Sequence, residues 1–346
     1  MKAVEKFALG MLLIALHGFA QSDEINIIDT HAHLETSAGT SSLGASVKTA
    51  LSEMDRVGIS RSILMPQPYS NVVAGGATIY DAEDLVAYAK GKPDRFSYIG
   101  GGATLNRMLQ GNAANDVSDS LKQQFRERAE SILALGASGF GEIAIEHYSL
   151  PMLGAKHPYE AVPGDHPLLL LLMDIAAEHD VPIDIHFDAN PEDRPLPENL
   201  RAPLNPSTLH ENVAAFERFL MHNQKTKVVW AHVGSDPGRT RTVELCRQLL
   251  SAHPNLYMSF RIGPRGPGPL MPLNEDGSIK SPWLELVQDF PDRFVIGSDQ
   301  FYPPEEAYRR TPTLVLDSLR IFVNNLPPDL ASKVAYENAR RIYKLP

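Results

Sequence analysis

Two histidines at alternate positions, His31 and His33, end an apolar run, IIDTHAHL (27–34). Residues i and i+2 of a strand face the same side, so both imidazoles would point to one place and could share a metal ion. Other residues of ligating type stand where later apolar runs end. They are Glu142 in SGFGEIAIEH, His186 in VPIDIHF, His232 in KVVWAHVG and Asp299 in RFVIGSD. Zinc and similar divalent ions take imidazole nitrogen and carboxylate oxygen, and a catalytic site keeps a position open for water. His31, His33, His186 and Asp299 would supply three imidazoles and a carboxylate. His232 and Glu142 are further candidates, for a second ion or for acid–base work. A single histidine at a strand end can equally be a structural hydrogen-bonding residue, so the argument rests on the order of the set. Seven other histidines, His157 and His166 among them, fall in the leader, loops or helices and are read as ordinary.

These residues need a frame that brings strand ends together. Eight segments read as strands: 25–33, 61–66, 96–104, 138–147, 181–187, 227–234, 255–263 and 293–299. Helical patterns alternate with them, several opening on Ser, Asp or Asn, with Gly58, Gly91 and Gly136 where helices should stop. Strand–helix alternation argues for parallel βαβ units, and eight such units fit a closed (β/α)8 TIM barrel. An open doubly wound sheet is the runner-up, but DTHAHLETSAG after the first strand is no glycine-rich phosphate fingerprint. Three long loops rich in Pro and polar residues, 147–166, 188–206 and 262–282, follow strands and are read as insertions covering the active-site side.

The 346 residues are 43% hydrophobic and 21% charged, with a net charge of −10. The absence of a basic stretch argues against a nucleic-acid partner. Residues 1–20 read as a secretory signal: Lys2 and Lys6, an apolar centre over Phe7–Leu16, then Gly18-Phe19-Ala20 as a cleavage site. The expectation is a periplasmic or secreted protein with one domain over 21–346 and no stable membrane anchor. Cys246 is the only cysteine, so no intramolecular disulfide forms, and its amphipathic surroundings make it a core thiol.

Taken together, IIDTHAHL, GFGEI, IDIHFD, VVWAHVG, FVIGSDQF and the closing KVAYENARRIYKL resemble the amidohydrolase superfamily. The specific likeness is to its amidohydrolase-related branch of metal-dependent barrel hydrolases and decarboxylases. The resemblance implies that His31 and His33 bind the more buried metal, completed by His186 and Asp299. It also implies that His232 binds a second metal or polarises the substrate, and that Asp299 takes the proton of the attacking water. Asp299 and His232 are therefore the candidate catalytic residues, and Zn2+, one or two ions, is the expected cofactor. SGFGEIAIEH has no lysine, so the carboxylated-lysine bridge of many binuclear members is excluded. Glu142 stands where TatD-type nucleases and some lactonases carry a glutamate ligand. By analogy with the branch, a homodimer is expected.

Arg261, with Arg265 beyond it, could hold a carboxylate or other anion on a small-molecule substrate. Gln67 and Tyr302 are further candidate substrate contacts, with Tyr69 and His147 as pocket lining. The set points to a hydrolase of an ester, lactone or amide bond. It leaves open a non-oxidative decarboxylase of an aromatic or unsaturated acid, and a non-catalytic metal-containing binding protein.

Overall fold

The computed structural model describes residues 25–35, 43–68, 79–154, 157–263, 270–309 and 314–346. The leader expected over 1–20 lies outside them, as do Tyr69 and Arg265. All eight expected strands form: β1 (Ile27–Leu34), β2 (Ile59–Leu64), β3 (Phe96–Tyr98 with Gly100–Gly101), β4 (Phe140–His147), β5 (Pro182–Phe187), β6 (Lys227–Val233), β7 (Leu256–Phe260) and β8 (Phe294–Ile296). Every neighbouring pair is parallel, in the order β3-β2-β1-β8-β7-β6-β5-β4. The first half of β3 pairs with β2 and the second half with β4, and only Ile99 separates the halves. Ile99 N–H donates to Leu64 O at 3.0 Å, and Gly102 N–H donates to Gly141 O at 3.2 Å. The sheet therefore returns on itself as a barrel.

Helices return the chain between strands and seal the outside. The helix Pro167–His179 buries Leu168, Leu169, Leu172 and Met173, and the helix Val243–Ala252 buries Cys246 and Leu249. Burial pushes the Cys246 thiol up to about 12, as a core thiol requires. Inside the barrel Ile28, Ile63, Ile99, Val229 and Val295 pack together, and Ile342 and Tyr343 of the C-terminal helix Asn338–Tyr343 join them. NPSTLHENVAAFERFLMHN (205–223) reads as one helical pattern, yet the helix spans only Val213–His222. The first part of the pattern instead forms a small antiparallel pair, Thr208–Leu209 with Arg194–Pro195. Among the described residues, no helix is long and apolar enough to cross a membrane.

The strands are not evenly phased, and the irregularities fall at the candidate residues. On β1, Ile28 faces the barrel interior, so strict alternation would turn residues 30 and 32 inward. Asp29 pairs with Ser62 and Ala32 with Leu64, three steps against two, and this shift re-phases the strand so that His31 and His33 enter the bowl. The same three-against-two shift spans Glu142, between Phe140 and Ile143, and His232, between Trp230 and Val233. Asn106 holds the β4 irregularity: its side chain donates to Glu142 O and accepts from Ala144 N–H.

Candidate metal centre and cavity

Six side chains meet at the carboxyl ends of the strands, and they sort into two nests of donor atoms. His31 Nε2 and His33 Nε2 lie 3.1 Å apart, each 3.4 Å from Glu142 Oε2. Asp299 Oδ1 lies 3.8 Å from His31 Nε2 and 3.5 Å from His33 Nε2. Tetrahedral ligation at ~2.0–2.1 Å sets neighbouring donors about 3.3 Å apart, the spacing seen here. The other carboxylate oxygen, Glu142 Oε1, lies 2.7 Å from His186 Nδ1 and 2.8 Å from His232 Nε2, themselves 3.1 Å apart. His186 therefore sits with His232, not beside the His31–His33 pair as expected from sequence. The ring order explains it, since β5 stands across the barrel from β1 and next to β6.

Residues behind the imidazoles fix which nitrogen faces inward. His33 Nδ1 lies 3.1 Å from Met65 O. A carbonyl only accepts, so Nδ1–H donates and the neutral ring presents a bare Nε2 to its nest. His31 Nδ1 faces Asp184 Oδ1 at 3.1 Å, and His186 Nε2 faces Asp188 Oδ2 at 3.3 Å. Carboxylates and carbonyls behind metal-binding histidines play this orienting part. Two imidazole nitrogens facing each other across 3.1 Å need a proton or a metal ion between them, and the nitrogen and oxygen donors around them are of the types a divalent ion takes. The donor set therefore fits a metal ion.

Electrostatics agree with the geometry. Burial opposes charge on His31, but Asp184 and Glu142 overcome it and hold the ring well above the ordinary histidine value. Glu142 is likewise buried, yet His31, His186 and His232 keep its carboxyl well below the usual range. Asp299 is also held down despite burial, because His232 and Arg261 face it. Burial pulls His232 down to about 4. Both His232 (φ 66°) and Asp299 (φ 52°) adopt the left-handed backbone that non-glycine residues avoid, as residues at functional sites often do.

A cavity of about 230 Å³ opens over the nests. Glu142, His186, His232 and Asp299 line it, together with Arg261, Phe301 and, at and after the end of β4, His147, Tyr148, Leu150, Leu153 and His157. Arg261 Nε lies 2.8 Å from Asp299 Oδ2, and its Nη1 donates to Ser235 Oγ at 2.8 Å. The expected arginine thus reaches the site, already paired with the site's own acid. Tyr302 does not reach the cavity: it is wholly buried in the core. Phe301, one step earlier on the strand Gln300–Tyr302, turns inward and stacks on His33 at 4.5 Å between ring centroids. Gln67 is half-buried and outside the lining, which takes its neighbour Pro68 instead. His157, read from sequence as ordinary, packs against His147 at 5.0 Å and accepts a hydrogen bond from Leu150 N–H. Of the expected covering loops, 147–166 supplies much of the wall and 188–206 supplies Asp188. Among the described residues of 262–282 none lines the cavity; Ser235, Pro237 and Arg241 after β6 take that place.

The family model described as Amidohydrolase matches residues 28–345. The chain belongs to the amidohydrolase family. No curated protein matches this amidohydrolase by sequence. Among solved structures, a 2,6-dihydroxybenzoate decarboxylase complexed with 2,6-dihydroxybenzoate is similar at 14% identity, over 92% of this chain and 99% of that one, with a TM-score of 0.50. A 4-oxalomesaconate hydratase from Rhodopseudomonas palustris is similar at 14% identity, over 92% and 95%, with a TM-score of 0.49. An amidohydrolase 2 from Bifidobacterium longum subsp. infantis is similar at 14% identity, over 93% and 100%, with a TM-score of 0.48. At these identities the likeness is one of fold.

Proposed function

We propose that this amidohydrolase is a metal-dependent hydrolase of an ester, lactone or amide bond in a small molecule. The observation that carries the reading is the Glu142 carboxylate, which puts one oxygen in each of two nests of histidine nitrogens. His31, His33, Glu142 and Asp299 would hold one ion and Glu142, His186 and His232 a second, with Zn2+ the first choice for such nitrogen and oxygen donors. Divalent ions in such nests lower the pKa of water toward 7 and polarise a carbonyl oxygen.

The chain's own groups do the rest. Asp299 Oδ1 faces the nest and takes the proton of the attacking water, while Arg261 on Oδ2 keeps the carboxylate ionised and aimed. Arg261 also lines the cavity, where a substrate carboxylate or carbonyl oxygen would meet its guanidinium. Asp184 and Asp188 hold two of the rings in the orientation the nests need.

Turnover of small esters, lactones and amides by metal-loaded protein in 18O-labelled water is the test. The expected result is one 18O atom in the product carboxylate. Release of CO2 from an aromatic or unsaturated acid without label uptake would overturn hydrolysis in favour of decarboxylation. Metal-loaded protein that binds such molecules without turning over any would instead be a binding protein.

A further inference from the structure

The cavity's lining is part charged and part apolar. Its charged groups are engaged with one another: Arg261 with Asp299, Arg241 with Asp188, and Glu142 with the nest histidines. The rest of the lining includes Pro68, Tyr148, Leu150, Leu153, Pro237 and Phe301. One apolar side chain, Phe301, stands at the reacting centre, stacked on His33. Another, Leu153, lines the cavity and is nevertheless 59% exposed, so the apolar lining reaches the surface there. Its chain neighbour Met152, in the same turn Pro151–Leu153, is 86% exposed. An isolated exposed leucine means little, but an exposed apolar pair continuous with a catalytic cavity marks a binding surface. The cavity of about 230 Å³ is smaller than the ~300 Å³ at which small-molecule sites usually begin, so a longer substrate would extend over this lip.

We infer that the substrate carries an apolar group that leaves the cavity along Leu150 and Leu153 to the mouth beside Met152. The inference rests on the hydrolase reading and names the substrate class of that site: esters, lactones or amides with an apolar acyl or aryl extension.

The experiment is a series of straight-chain p-nitrophenyl esters, acetyl to octanoyl, assayed with metal-loaded protein. Burying each methylene predicts that kcat/KM rises about threefold per CH2 until the chain clears the mouth, and then levels. Leu153→Asp is expected to flatten that slope. A wild-type series that is hydrolysed but flat or falling overturns the inference while leaving the hydrolase reading intact. So does a flat series in which Leu153→Asp dissociates a dimer, which would assign the lip to a contact between copies. If fully metal-loaded protein hydrolyses no ester, the hydrolase reading suffers instead. The apolar path is then read from calorimetric binding of straight-chain carboxylates, acetate to octanoate. Affinity rising about threefold per methylene supports it, and a flat series overturns it.

Discussion

Asp299→Asn is expected to lower kcat by about 10³-fold at full metal occupancy, the usual scale for losing a positioned proton acceptor. The amide keeps the shape and one oxygen for the nest, but it cannot take a proton. Asp299 Oδ1 lies 3.5 Å from His33 Nε2, while Oδ2 receives Arg261. That division turns one oxygen to the nest and the other to the arginine. The left-handed turn that aims the residue is held by neighbours: Ser298 donates through both N–H and Oγ–H to Asp29, and Asp299 N–H donates to His31 O. Asn adopts positive φ readily, so the fold should tolerate the change. Rates measured at saturating metal, with metal content checked on the same sample, separate lost chemistry from lost ligation. A kcat within tenfold of wild type would remove Asp299 as the proton acceptor.

Glu142→Gln is expected to weaken metal binding at both nests by more than about 100-fold, beyond what loss of an orienting partner behind a ligand costs. The carboxylate offers one oxygen to each set of nitrogens. An amide offers one oxygen only, and whichever way it turns, its NH2 faces imidazole nitrogens on the other side. Four buried histidines would then share one negative charge fewer. Because bound ions stabilise the folded state by mass action, chelation should lower the wild-type melting temperature and leave that of Glu142→Gln little changed. Loss of metal from one nest alone would show that Glu142 serves a single ion.

Much of the architecture was legible because a parallel barrel writes itself into sequence as buried strands between amphipathic helices. His186 was also legible in position, since plain alternation along β5 turns Asp184 and His186 inward. What sequence could not show was phase and adjacency. The strand shifts at His31, Glu142 and His232 are backbone events with no residue signature. Counting by twos from Ile28 would have turned His31 outward. Likewise, that Phe301 and not Tyr302 faces the cavity follows from the pairing of Gln300–Tyr302 with the end of β1, which is set by tertiary structure. The grouping of His186 with His232 follows from ring closure, which no local pattern contains. Asp184 and Arg241 act through other residues, and their types alone give no reason to separate them from ordinary buried charges. The β6 loop that supplies Ser235 and Pro237 is short and lacks the length that marks the longer loops in sequence.

Metal content per chain tests the central claim most directly. It should be measured by elemental mass spectrometry on protein purified without chelators and without a polyhistidine tag. Two nests sharing Glu142 predict about two equivalents of a divalent ion, zinc foremost. Protein that is fully folded yet holds no metal, even after supplementation, would contradict the account.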